Sequence, residues 1–246
     1  MKKENEFEKF VKKNINKIKK NKEFNKKSIE WSLLATKIKY NYNFSWLGLP
    51  IIKFPNDILV MQEIIWKVKP DVIIETGVAR GGSLIFFASM LKLIKKNWKV
   101  IGIDIDIRKK NRIAIQKHFL YKKNIKLLEG SSTSDEIIKK LKKYLTKKKV
   151  LVVLDSMHTE KHVLKELELY SKLVSKDSYL IVEDTCVELF PKNHFKNRPW
   201  NKGNNPMTAV KKFLIKNKNY SIDETISAKI GITESPMGYL IKKNDK

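Results

Sequence analysis

Short apolar segments alternate with amphipathic helical segments along most of this chain, and this alternation restricts the fold more than any other feature. The predicted helices cover residues 57–68, 83–94, 109–118, 135–144, 160–174 and 206–216. The predicted strands between them cover residues 72–75, 100–104, 126–128, 150–154 and 179–182. Strands that alternate with helices form parallel sheets with right-handed crossovers. We therefore predict an α/β fold whose strands end at one common edge.

The two ends of the chain depart from this alternation. After residue 216, strands are predicted at 220–226 and 238–241 with no helix between them, so they should pair antiparallel. Residues 1–45 carry lysines between apolar residues at helical spacing, which predicts a helical extension. The predicted organisation is thus an extension over 1–45 and one domain over 46–246. Its sheet would have seven strands, mostly parallel, with a C-terminal antiparallel hairpin.

The charge of the chain restricts its partners. The net charge is +26, yet only four of the 52 basic residues are arginine. Proteins that recognise phosphate or bases commonly use Arg for bidentate contacts. We interpret the lysines as solvated surface and expect no specific nucleic acid as partner. The alternative is attraction to RNA, or to an anionic membrane or glycolipid surface through the basic helices.

Compartment signals are few. No apolar run reaches the ~18 residues of a membrane span, and no apolar signal stretch follows the Lys-rich start. Cys186 is the single cysteine, so an intramolecular disulfide is excluded. A chain without disulfides fits a reducing compartment. We expect a cytoplasmic protein.

A glycine-containing turn follows the first strand of the predicted sheet. It runs from Glu75 through Gly77, Arg80 and Gly81 to Ser83, where a helix begins. The glycines allow a tight turn and close approach of a ligand to the backbone. The spacing differs from the dinucleotide pattern G-x-G-x-x-G, and an acid at the strand end would repel a pyrophosphate. A ligand with cationic groups, such as S-adenosylmethionine, suits Glu75.

Polar residues also follow the second and third strands. Asp104 ends the second strand, where a carboxylate can accept hydrogen bonds from both hydroxyls of a ribose. Asp106 is an alternative for this contact. Ser131 follows the third strand and would border an adenine. The sequence therefore predicts a nucleoside-containing cofactor at this edge.

Acidic residues follow the fourth and fifth strands. Asp155 follows the fourth strand, and Glu183 and Asp184 follow the fifth. Neighbouring parallel strands lie ~5 Å apart, so three carboxylates would converge and repel one another unless protonated or bound to a cation. Oxygen donors favour Mg²⁺, Mn²⁺ or Ca²⁺. His158 lies close to these acids and is predicted to act as a general base. Alternatively, it is only a residue at the start of the next helix. A second alternative is that His158 and His162 together form a two-His iron site.

These motifs together resemble the family that contains cephalosporin hydroxylase and rhamnosyl O-methyltransferases, over roughly residues 46–241. The matching segments are 46–50, 70–83, 102–108, 154–158, 163–167, 183–185, 200, 203–206 and 238–240. The resemblance implies a Rossmann-like class I methyltransferase fold. It implies S-adenosylmethionine near Glu75, Gly77 and Asp104. It implies a divalent ion on Asp155, Glu183 and Asp184, with His158 as base.

The expected function is divalent-metal-dependent O-methylation of a sugar, glycan or secondary metabolite, by a chain that forms a homo-oligomer. Asp155 is expected to border both the cofactor and the ion. The loop over 186–205 contains aromatic and basic residues that would cover a sugar or a phosphate-bearing acceptor. Two alternatives remain. One is an RNA-directed methyltransferase or RNA-binding protein, and the other is an oxidation component like cephalosporin hydroxylase.

Overall fold

The computed structural model describes residues 5–243. Its helices are α1 (Glu6–Lys20), α2 (Lys22–Lys37), α3 (Pro55–Val68), α4 (Gly82–Ile94), α5 (Lys109–Lys117), α6 (Asp135–Lys142), α7 (Glu160–Tyr170), α8 (Pro206–Lys216) and α9 (Glu224–Ile230). Its strands are β1 (Phe44–Trp46), β2 (Leu49–Ile51), β3 (Val72–Thr76), β4 (Lys99–Asp104), β5 (Ile125–Glu129), β6 (Val150–Leu154), β7 (Tyr179–Val182), β8 (Tyr220–Ile222) and β9 (Tyr239–Lys242). Two short 3-10 turns span Tyr40–Tyr42 and Thr185–Leu189.

Seven strands form the main sheet in the order β5-β4-β3-β6-β7-β9-β8. Strands β3 to β7 run parallel, and β9 pairs antiparallel with both β7 and β8. Every residue of β3, β6 and β7 is buried, as expected for central strands covered on both faces. The predicted fold class, a mostly parallel seven-stranded sheet with antiparallel C-terminal strands, is confirmed.

Two apolar cores cover the two faces of this sheet. Side chains alternate between faces along a strand, so Ile73 packs with α3 and α4 whereas Ile74 packs with α6, α7 and α8. The helices begin where the local sequence supplies caps. Asn205, for example, accepts hydrogen bonds from the amides of Met207 and Thr208 at the start of α8. The sequence Asn205-Pro206 is typical of an N-cap followed by a first-turn proline, and the structure confirms this role.

The C-terminal hairpin differs from the prediction in one part. The strand predicted over 220–226 ends at Ile222, and α9 follows it. Asp223 causes this change because its carboxylate accepts a hydrogen bond from the amide of Thr225 and caps the helix. The antiparallel pairing with β9 is retained in the three remaining residues.

The N-terminal helices lie beside the sheet domain. Helix α1 begins at Asn5 with a reciprocal capping interaction to Glu8, and none of its residues is buried. Lys19 of α1 pairs with Glu224 of α9. Strand β1 then spans the predicted boundary between residues 45 and 46. Within residues 5–243, none of the helices combines the length and apolarity that crossing a bilayer requires.

Candidate active site

A cleft of about 1380 Å³ lies at the carboxyl ends of the parallel strands. This is the edge at which open α/β sheets bind ligands. Of the residues predicted for the site, ten line the cleft: Gly77, Arg80, Gly81, Ser83, Asp104, Ser131, Asp155, His158, Glu183 and Asp184. Glu75 is fully buried and does not line it.

The turn after β3 needs its glycines for steric reasons. Gly77 has a φ of +87°, and a Cβ there would lie 1.9 Å from the backbone oxygen of Asp155. Gly81 has a φ of +84°, and a Cβ there would lie 2.3 Å from the side chain of Ile115. The turn therefore packs against the loop after β6 on one side and α5 on the other, which brings its backbone into the cleft.

Asp104 organises the same turn. One carboxylate oxygen accepts hydrogen bonds from the amides of Val78 (2.8 Å) and Ala79 (3.4 Å). Its other oxygen accepts from the amide of Asp106 at 3.3 Å. Asp106 itself is exposed. Asp104 thus connects the ends of β3 and β4, and its side chain faces the cleft while holding the glycine turn in place.

Glu75 lies directly beneath this turn. One oxygen of its carboxyl group accepts a hydrogen bond from the Ser83 hydroxyl at 2.7 Å. The other oxygen, Oε1, is buried and has no hydrogen-bond partner within residues 5–243. Burial raises the pKa of Glu75 to about 8, Lys53 opposes this, and the negative charge of Asp155 adds to it. A buried oxygen without a partner is an unused acceptor for a cationic or hydrogen-bond-donating ligand.

The acidic side of the cleft contains a possible ion site. Among the described residues, Asp155, His158 and Asp184 form a group whose ligand atoms lie within 4.8 Å of one another. His158 Nε2 lies 3.4 Å from Asp184 Oδ2. Burial raises the pKa of Asp155 to about 7, and Lys53 acts against this rise. Two carboxylates and an imidazole are a donor set that suits a divalent cation.

Lys53 also lies in this site, although no sequence pattern predicted it there. Its ammonium lies 2.8 Å from Glu183 Oε1 and 3.3 Å from Asp155 Oδ2, and its side chain is only 4% exposed. Burial disfavours the charged form, but the two carboxylates outweigh it and hold the pKa of Lys53 well above its usual range. In the sequence, Lys53 differs from other lysines only because it lies inside the apolar run 49–54. In a chain with so many lysines, that position alone does not predict a role in the site.

Glu183 is placed differently from the other predicted ligands. Its carboxylate binds Lys53 and accepts a hydrogen bond from the Ser235 hydroxyl at 2.5 Å. It does not join the group formed by Asp155, His158 and Asp184. Its role as an ion ligand stays a prediction.

Two further buried acids, Asp57 and Glu234, lie next to this region, and no sequence pattern predicted them there. Asp57 accepts hydrogen bonds from Glu234 N (2.9 Å) and Tyr239 Oη (2.8 Å), and Glu234 accepts from Phe54 N at 3.1 Å. Burial raises the pKa of Asp57 to about 6, with a further rise from the charge of Glu183. These contacts fix the segment that carries Lys53 against the C-terminal loop.

His162 lies apart from the possible ion site. Its Nε2 is 3.1 Å from the hydroxyls of both Ser132 and Ser156, and 3.5 Å from Glu166 Oε1. The described part of the chain therefore gives the ion group a single histidine, His158. The alternative of a two-His iron site finds no support in this arrangement.

The segment over 190–204, here called the lid, covers the acidic side. The indole of Trp200 packs edge-on against the ring of His158 at 4.7 Å between centroids, and the Arg198 guanidinium lies 5.2 Å from the Trp200 ring. Glu188 tethers the end of the lid by accepting from the amide of Gly203 at 2.8 Å. Asn204 donates to the carbonyl of Pro199 at 2.9 Å. The lid is thus held in place around Trp200.

Comparison with known proteins agrees with this geometry. Residues 38–243 match the family model described as rhamnosyl O-methyltransferase/CmcI. A rhamnosyl O-methyltransferase of Mycobacterium leprae (strain TN) is 29% identical over 203 residues, which cover 81% of this chain and 83% of that protein. The corresponding protein of Mycobacterium tuberculosis (strain ATCC 25618 / H37Rv) is 28% identical, with 80% and 78% covered.

Solved structures with a similar fold include two of CmcI. An apo structure aligns with a TM-score of 0.60 at 20% identity, covering 83% of this chain and 78% of the other. A structure of CmcI with magnesium and S-adenosylmethionine aligns with a TM-score of 0.57 at 20% identity, covering 82% and 78%. At these identities the likeness establishes the fold.

Proposed function

Because the chain belongs to the rhamnosyl O-methyltransferase/CmcI family, whose activity is O-methyl transfer from S-adenosylmethionine, we propose that it methylates a hydroxyl of a sugar, glycan or secondary metabolite with the help of a divalent ion. The observation that carries the proposal is the juxtaposition in one cleft of a glycine turn over the unpartnered Glu75 oxygen and the group of Asp155, His158 and Asp184. The first fits a cationic cofactor, and the second fits a cation.

The glycine side would hold the cofactor. S-adenosylmethionine carries a sulfonium, an ammonium and a carboxylate but no phosphate. Near pH 7 the unliganded chain holds a proton on Glu75, and a cationic group bound at the unpartnered Oε1 would favour loss of that proton and accept the negative charge as its partner. Asp104 would accept from the ribose hydroxyls while it keeps its hydrogen bonds to the turn. The contact residues proposed on this side are Gly77, Arg80, Gly81, Ser83, Ser131 and, from the acidic side, Asp155.

The acidic side would hold the ion and the acceptor hydroxyl. A divalent ion bound there supplies positive charge that orients the hydroxyl and lowers its pKa. Asp155 and Asp184 are the proposed carboxylate ligands. Glu183 is kept as a third ligand, on the condition that the ion competes with Lys53 for its carboxylate. Lys53 neutralises part of the negative charge and holds Asp155 in position.

His158 is proposed to remove the proton from the acceptor hydroxyl. Its Nε2 faces Asp184, which would stabilise the protonated imidazole that results. Trp200 packs against the ring and restricts its orientation. Proton removal at this position makes the acceptor oxygen a better nucleophile toward the methyl group, and positioning by the lid supplies further acceleration.

The cleft also receives residues from the N-terminal part of the chain. Thr36, Lys37, Lys39, Asn41 and Tyr42 all line it. We propose that this part of the extension, residues 36–42, forms one wall of the acceptor side, here called the N-terminal wall.

The decisive experiment measures transfer of labelled methyl from S-adenosylmethionine to a panel of sugars, sugar nucleotides and extracted glycans. We expect label in a sugar fraction, loss of transfer with a chelator, and recovery when magnesium is added in excess. Binding of S-adenosylhomocysteine should survive the chelator because the glycine side lacks ion ligands. Methyl transfer that is unchanged by the chelator would refute the dependence on a metal ion. Methyl transfer to RNA alone would refute the sugar acceptor.

A further inference from the structure

Arginine is distributed unevenly in this chain. Nearly all of its basic residues are lysine, and only four of the 52 are arginine. Three of these four, Arg80, Arg108 and Arg198, line the cleft. The fourth, Arg112, pairs with Glu129 outside it. A general excess of lysine explains none of this placement. The planar guanidinium is the group that binds carboxylate or phosphate in bidentate fashion.

Arg80 and Arg108 lie on the cofactor side, whereas Arg198 lies on the acceptor side. Arg198 is on the lid, with its guanidinium 5.2 Å from the Trp200 ring, and the centroid of that ring lies 4.7 Å from the centroid of the His158 ring. The backbone beside it is fixed, because Asn204 binds the carbonyl of Pro199. A ligand group bound by Arg198 would therefore lie about one sugar ring away from the hydroxyl at His158.

Further exposed cations line the same cleft. Lys196 comes from the lid, and Lys37 and Lys39 come from the N-terminal wall. Lys37 and His194 of the lid line the same cleft, and burial together with the nearby charge of Lys37 lowers the pKa of His194. None of these four cations has a carboxylate partner within residues 5–243. The carboxylates of Asp155 and Glu183, by contrast, share Lys53.

We propose that the acceptor is a phosphorylated sugar whose phosphate or diphosphate group binds Arg198, Lys37 and Lys39, one ring away from the hydroxyl that is methylated. This inference rests on the proposed function. A neutral sugar would make no charge-assisted contact with these exposed cations, and a single carboxylate would engage fewer of them than a phosphate or diphosphate group. Two sources share this chemistry: a soluble nucleoside-diphosphate sugar and a sugar linked to a lipid through diphosphate.

The test measures binding to the full chain saturated with S-adenosylhomocysteine, by calorimetry at constant free magnesium. The probes are rhamnose 1-phosphate and glucose 1-phosphate, each compared with its methyl glycoside. We expect the phosphorylated sugars to bind at least tenfold more tightly, with an advantage that shrinks as salt rises. Arg198→Gln should remove most of this advantage and leave the affinity for S-adenosylhomocysteine unchanged.

Lys192→Gln is the matched control, because Lys192 is an exposed cation of the same lid that does not line the cleft. It should bind all probes like the unmodified chain. A nucleoside-diphosphate hexose and a polyprenyl-diphosphate hexose in detergent then distinguish the two sources, since the natural source should bind more tightly than the matching 1-phosphate.

Equal binding of phosphorylated and methyl sugars, no binding of any phosphorylated sugar, or an unchanged advantage in Arg198→Gln would overturn the inference. The proposed function fails by different results. It fails if S-adenosylhomocysteine does not bind, or if no sugar, phosphorylated or neutral, receives labelled methyl. Methyl transfer to a neutral sugar that is as efficient as transfer to its phosphorylated counterpart would keep the function and reject the phosphate.

Discussion

The two sides of the cleft satisfy their polar groups in different ways. On the glycine side, backbone amides of the turn hold Asp104, and the Ser83 hydroxyl holds Glu75. On the acidic side, the carboxylates of the buried Glu183 and of Asp155, which is a quarter exposed, share one ammonium, that of Lys53. Hydrogen bonds from neutral donors hold the glycine-side acids in place and leave only Oε1 of Glu75 for a ligand, whereas a surplus of negative charge needs a cation. The cofactor side is therefore preformed, and the acidic side depends on cations.

The largest expected effect comes from separating base and ligand on the acidic side. His158→Ala should lower turnover by about 100- to 10,000-fold, the usual range for a lost general base. Asp184→Asn should instead weaken ion binding, and excess magnesium should partly restore its activity by mass action. Steady-state kinetics across a magnesium series distinguishes the two variants.

The contrary outcome is informative because His158 lies within ligand distance of both carboxylates. If excess magnesium rescues His158→Ala, the imidazole is a ligand and the proton leaves through another group. If His158→Ala keeps near-normal turnover, the histidine returns to the role of a helix-start residue before α7. Raising the pH should help His158→Ala, because hydroxide partly replaces a missing base.

Substitution of Lys53 tests whether the acidic side of the cleft depends on cations, and the measured quantity is the free energy of unfolding. Lys53→Met leaves the carboxylate of Glu183 buried without its partner, which should lower the free energy of unfolding by about 3–5 kcal/mol, and it also removes the cation beside the partly exposed Asp155. Urea denaturation in chelator measures this loss, and added magnesium should recover part of it. Lys95→Met is the matched control.

Lys95 pairs with Asp71 at 3.0 Å, but both side chains are about a quarter exposed. The loss of such a pair should cost about 0–1 kcal/mol and should not respond to magnesium. Equal losses for the two variants would show that Lys53 acts as an ordinary surface cation and that the acidic side needs no internal counterion.

Substitutions on the glycine side should change the affinity for the cofactor, and magnesium should not alter that change. Asp104→Ala should weaken the binding of S-adenosylhomocysteine by about 1–3 kcal/mol, because it removes charge-assisted hydrogen bonds and the support of the turn. Asp106→Ala should have little effect, because its side chain is exposed. Calorimetry with and without magnesium checks both. A larger effect of Asp106→Ala would transfer the ribose contact to that residue.

The same comparison explains which parts were predictable from sequence. Strand ends such as Glu75, Asp104 and Asp155 follow from local apolar runs, and a parallel sheet brings such ends to one edge. Lys53 and Glu234 were missed because their roles depend on contacts between distant segments. Residue type alone does not distinguish one lysine among many. The strand predicted to reach 226 failed because the cap at Asp223 outweighs β propensity there.

The smallest expected effect is the pH dependence that Glu75 adds to stability. Burial raises the pKa of Glu75 to about 8 from an ordinary 4.5, so between these values the folded chain holds a proton that the unfolded chain has lost. Stability from this group is therefore full at low pH and falls as pH rises through the window. Glu75→Gln lacks this dependence. Its free energy of unfolding should improve relative to the unmodified chain by roughly 1 kcal/mol between pH 6 and 7.

The difference between the two proteins is the quantity to measure, because Asp155 titrates in the same range and affects both. Urea denaturation at pH 5, 6, 7 and 8 in chelator, without cofactor, gives that difference directly. A difference that stays constant with pH would mean that Glu75 is ionised when folded and that Lys53 outweighs its burial. The acid beneath the turn would then depend on a cation of the acidic side, and the two sides of the cleft would be electrostatically coupled.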